Sequence, residues 1–71
     1  MQLIRSNSKL SLMRRESVEA KTGLARSTLY RLMKDGKFPL PYPLTGSRAV
    51  AWLSTEIDEW ILDVTKSRNA A

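Results

Sequence analysis

The apolar residues of this chain recur at spacings that mark out its elements. Leu29, Leu32 and Met33 stand at i, i+3 and i+4, one side of a helix that turns about 100° per residue. That spacing predicts a helix over residues 26–35, stopped by Gly36. Ahead of it, Val18 and Ala20 support a shorter helix from residue 14 or 15 to Thr22, ended by Gly23. Leu24 then anchors a tight turn between the two helices. Ile57, Trp60, Ile61 and Val64 form the clearest amphipathic stripe, predicting a third helix from Thr55 with Ser54 as its N-cap. The stripe holds just enough apolar positions for one core face, and polar residues beyond about Thr65 predict fraying.

Between the second and third helices the pattern is not helical. Pro39, Pro41 and Pro43 alternate, which rules out helix and favours an extended segment. Thr45, Gly46 and Ser47 read as a turn, and residues 49–52 as a strand folding back on residues 42–44. The result is a small hairpin, a candidate wing with Arg48 near its tip. Leu10, Leu12 and Met13 are a short extended lead onto the domain. Trp52, Trp60 and Phe38 are the groups available to centre the core. Residues 1–9 are expected as a flexible N-terminal tail, 10–66 as one domain and 67–71 as a C-terminal tail.

Composition narrows the chemistry. With 71 residues, no cysteine and no histidine, the fold has neither disulfides nor the usual zinc ligands. The commonest nucleophiles and acid–base groups are missing too, so neither an enzyme nor a cofactor is expected. No run is long and apolar enough to span a bilayer and no secretory signal is evident, so a cytoplasmic, nucleoid-associated protein is expected.

Twelve Lys and Arg oppose seven acids, for a net charge of +5. Lys21, Arg26, Arg31, Lys34, Lys37 and Arg48 are opposed locally only by Asp35, whereas Glu56, Asp58, Glu59 and Asp63 form an acidic far end. Solubility does not require such segregation, and the basic bias points to a polyanionic partner. Two short helices joined by a tight turn, the second with a basic outer face, describe a helix-turn-helix. Its recognition helix would enter a major groove. Ser27, Tyr30, Arg31 and Lys34 lie on the outer arc, with Arg26 and Thr28 at its margins. Arg26 and Arg31 suit guanine edges, and Ser27, Thr28 and Tyr30 suit phosphates or bases. Lys34 suits the phosphate chain, and Arg48 suits the neighbouring backbone or minor groove. Tyr30 equally fits the edge of the core.

The stretch TGLARSTLYRLMKDGKFPLPYPLTGSRAVAWLSTEIDEWI, residues 22–61, resembles the AlpA family of phage and prophage regulators. The STLYRL helix, the GKFP exit, the small-residue turn before AVAW and the EIDEWI helix occur in the family's order. The resemblance implies a mainly α fold with a small β-hairpin, a winged helix-turn-helix related to MerR and excisionase domains. It further implies DNA binding, with control of integrase genes or help in prophage excision. Ser27, Thr28, Tyr30 and Arg31 would lie on the recognition helix, and Ser47 and Arg48 in the wing. Ala25 departs from the family's usual serine and gives the helix no side-chain cap.

The leading expectation is therefore a sequence-specific transcriptional regulator bound to double-stranded DNA, as a homodimer or cooperatively on repeated sites. An excisionase-like factor bending attachment-site DNA uses the same surface. A third reading, of another class, is an interaction module docking through its acidic third helix. An integrase or RNA polymerase is a candidate protein partner, and no membrane is expected.

Overall fold

The computed structural model describes residues 10–46 and 48–70, with side chains described through Lys66. The expected tail over residues 1–9 and the wing residue Ser47 lie outside the described residues. In chain order the elements are β1 (Leu12–Met13), α1 (Arg15–Thr22), α2 (Arg26–Lys34), β2 (Tyr42–Pro43), β3 (Val50–Leu53) and α3 (Ser54–Ala70).

Helix α1 stops where Gly23 takes a left-handed conformation at φ 78°. The Gly23 N–H closes back on Glu19 O at 2.8 Å, as a glycine after a last helical turn allows. Thr22 tightens the same corner, donating to Val18 O at 2.7 Å and accepting the Leu24 N–H at 3.3 Å. The chain re-enters helix at Arg26 after only three residues. Helix α2 ends at Lys34 with Asp35 as its cap, and Gly36 follows at φ 72°.

The predicted hairpin is present and belongs to a larger sheet. Antiparallel β2 and β3 pair Tyr42 with Ala51 and Pro43 with Val50, and Leu44 N–H reaches Ala49 O at 2.9 Å. Pro43 is tolerated because β2 is an edge strand. The lead strand β1 pairs on the other side of β3, giving the order β1-β3-β2. Ser54 clamps this junction: its N–H donates to Ser11 O at 2.8 Å, and its Oγ accepts the Ser11 N–H at 2.9 Å. Helix α3 begins at Ser54, one residue earlier than expected, and runs to Ala70 through residues expected as a tail.

The core is formed by Val18, Leu29, Phe38, Trp52 and Ile57, one each from α1, α2, β3 and α3 with Phe38 from the segment after α2. Trp52 is wholly buried, with its indole N–H donating to Pro39 O at 3.0 Å. Trp60, expected to share the centre, sits at its edge: half-buried, edge-on to Phe38 at 4.9 Å, and donating to Lys37 O at 2.9 Å. The α3 stripe also reaches past the core it was expected to fill. Ile57 is buried, but Val64 is 46% exposed and its neighbour Leu62 65% exposed. The helix outlasts the small body it packs on, so spare apolar surface exists where none was expected.

Candidate nucleic-acid interface

Helix α2 divides cleanly into two faces. Leu29 is buried, and Leu32 and Met33 pack on the core beside it. Arg26, Ser27, Tyr30, Arg31 and Lys34 are exposed, while Thr28 is half-buried at the margin of the arc, as its position predicts. Tyr30 is 41% exposed, so it does not close the core. Instead the Arg26 guanidinium lies 5.9 Å from its ring centroid, a cation–π contact one helical turn apart. The i, i+4 spacing of Arg26 and Tyr30 was a signal the sequence offered for this pair.

The charges on this face are uncommitted. Among the described residues, Arg26, Arg31, Lys34 and Arg48 take part in no ion pair. The two cations of α1 behave otherwise. Arg15 donates to Glu19 at 2.9 Å, and this hydrogen bond, with the nearby carboxylates, raises its pKa above the ordinary value. Lys21 reaches across to Asp58 on α3 at 2.6 Å. That pair removes Lys21 from the basic group the sequence suggested, and residue spacing gave no hint of it.

Helix α2 also starts without a side-chain cap, because Ala25 has no oxygen to offer. Its first-turn N–H groups point out at the positive end of the helix dipole. In the hairpin, Gly46 makes the turn at φ 68°, and Arg48 is exposed just beyond it. No His/Cys/Asp/Glu cluster able to hold a metal occurs among the described residues. Nor is any helix among them long and apolar enough to cross a membrane.

Two short helices at a tight corner, with a three-stranded antiparallel sheet whose hairpin forms a wing, define a small α+β winged helix-turn-helix. Residues 11–65 match the family described as prophage CP4-57 regulatory protein (AlpA), and the chain belongs to that family. It is 33% identical over 61 residues to the DNA-binding transcriptional activator AlpA of Escherichia coli (strain K12), covering 79% of this chain and 87% of that protein. It is 46% identical over 39 residues to the uncharacterized protein ORF88 of Enterobacteria phage P4, covering 55% of this chain. It spans 43% of that phage protein's length.

Proposed function

We propose that this chain is a phage-type transcriptional regulator that binds double-stranded DNA sequence-specifically and controls integrase or excision genes. It works without catalysis, in the cytoplasm, through residues 10–66. The observation that carries this reading is the unpaired basic and hydroxyl-bearing row on α2, with Ser27, Tyr30, Arg31 and Lys34 exposed together.

A helix of this width fits a major groove, and its outward side chains meet base edges there. Arg31 is placed to fork onto a guanine edge, with Arg26 and Thr28 flanking it. Ser27 and the uncapped first turn of α2 suit a phosphate, which the free N–H groups and the dipole both favour. On this reading Ala25 leaves room for a phosphate where a serine would supply a cap. Lys34 contacts the phosphate chain, and the wing, through Ser47 and Arg48, follows the neighbouring backbone. The relatives support the reading, since one is named a DNA-binding transcriptional activator.

The test is a DNA titration at two or more salt concentrations, using a site selected from random duplexes and a scrambled duplex. Affinity for both should fall steeply with salt, since each phosphate neutralised releases counterions. Affinity that does not respond to salt would exclude the phosphate contacts and with them the proposed face.

A further inference from the structure

The face built by α3 and the proline segment has a different chemistry from the basic row. A groove of about 560 Å³ is lined by Pro39, Leu40, Pro41, Tyr42, Glu56, Glu59, Trp60 and Asp63, and shares no residue with the basic face. Its apolar wall is held from three points. Trp60 donates to Lys37 O at 2.9 Å, Trp52 donates to Pro39 O at 3.0 Å, and the Tyr42 hydroxyl donates to Glu56 at 2.7 Å. Between these anchors, with a proline on either side, Leu40 is held out to solvent at 63% exposure. A lone exposed leucine is ordinary, but one fixed beside a tryptophan in a groove is a preformed anchor pocket. Little ordering remains to be done when a partner arrives.

The rim of this groove is anionic. Glu56 is engaged by Tyr42, whose phenol is held protonated above its ordinary range by that carboxylate. Asp58, also on α3 but not lining the groove, is engaged by Lys21. Glu59 and Asp63, one helical turn apart and both exposed, have no ion pair among the described residues. Such a rim repels DNA and favours a cation.

We propose that this groove docks a short extended peptide from a protein partner, with an arginine or lysine next to an aliphatic residue. The cation lies between Glu59 and Asp63, and the aliphatic side chain packs on Leu40 and Trp60. The exposed face of α2 offers arginine and lysine but no aliphatic side chain, so α2 of a second copy is a poorer match. Docking here leaves the α2 face free, so a DNA-bound chain could hold a second protein.

The experiment is a heteronuclear NMR titration of the full chain with three capped hexapeptides. One carries arginine and leucine, one arginine and serine, and one glutamate and leucine. The first should bind saturably, shifting the Trp60 indole N–H and the Leu40 methyl resonances; the other two should bind at least about tenfold more weakly. Leu40→Ser, and Glu59→Lys combined with Asp63→Lys, should each weaken the first peptide by about tenfold or more. Unchanged thermal midpoints would show that these variants fold, as expected of exposed positions. Equal binding of the arginine–serine peptide, or no saturable binding, overturns the proposal. Self-association of the free chain that Leu40→Ser abolishes would also overturn it, making the occupant a second copy. DNA titrations of the same variants keep this outcome separate from that of the DNA reading.

Discussion

Helices α1 and α2 are nearly the same length, and each buries one residue completely: Val18 in α1 and Leu29 in α2. They differ in what their charges do. Helix α1 carries two bases and two acids; Arg15 is tied to Glu19 and Glu16, and Lys21 is tied to Asp58 of α3. Helix α2 carries three bases and no acid, and none of them is in an ion pair among the described residues. The first helix is finished within the fold, whereas the second presents a field that only an outside anion can neutralise. Charge count alone would rank both as polar surface helices. On the proposed reading, the distribution of partners separates the supporting helix from the working one.

The harshest way to break this comparison is to remove the floor under both helices. Trp52 is wholly buried and also holds Pro39 through its indole N–H. Trp52→Ala should cost about 3–5 kcal/mol, enough to unfold much of a domain this small. Chemical denaturation followed by circular dichroism would measure it. A loss below about 1 kcal/mol would mean that the core is centred elsewhere. Trp60→Ala should cost less, because half-buried Trp60 lies at the edge.

The next test stays on α2 and separates reading from gripping. Arg31→Ala should weaken binding to a selected site by about 1–3 kcal/mol and relax preference at one base pair. Lys34→Ala should weaken selected and scrambled DNA about equally, since an ammonium offers only a point charge. Anisotropy titrations of both variants on both duplexes decide between them. If Arg31→Ala lowers affinity for both duplexes alike, Arg31 holds a phosphate, and base reading moves to Arg26, Ser27 and Thr28.

Much of this architecture was legible in the sequence where the signals are local. Gly23 and Gly36 marked the ends of α1 and α2, the Leu29, Leu32 and Met33 spacing oriented α2, and the alternating prolines with the turn at residues 45–47 marked the hairpin. The AlpA resemblance implied the same wing and order of elements, and the family match agrees with that resemblance. What was not legible depended on partners far along the chain. Strand β1 is two residues long and exists only through its pairing with β3. The Lys21–Asp58 and Tyr42–Glu56 contacts join residues that no periodicity connects. Nor does a stripe tell how far the body beneath it extends, so Val64 read as core while nearly half exposed.

A milder intervention gives α2 the cap it lacks. Ala25→Ser supplies an oxygen to the first-turn N–H groups, which should stabilise the domain by about 1 kcal/mol in thermal or chemical melts. If a phosphate takes those groups in the complex, the serine competes with it, and DNA affinity should not rise with stability. A gain in both would place the phosphate away from the α2 N-terminus.

The smallest expected effect falls on the supporting helix and is the sharpest check of the comparison. Lys21 and Asp58 are both nearly half exposed, at 43% and 48%, so solvent screens their attraction. Lys21→Ala should therefore cost only about 0.2–1 kcal/mol of stability. It removes one positive charge from the chain, as Lys34→Ala does. If net charge alone drove DNA binding, the two variants would weaken it alike. If the unpaired face of α2 drives it, Lys21→Ala should leave the affinity and its salt slope unchanged. Lys34→Ala should reduce that slope by about one phosphate contact. Matching both variants in one salt series removes differences in preparation from the comparison. Equal losses would show that the pairing of α1 charges does not protect them from use, and the division between the two helices would fail.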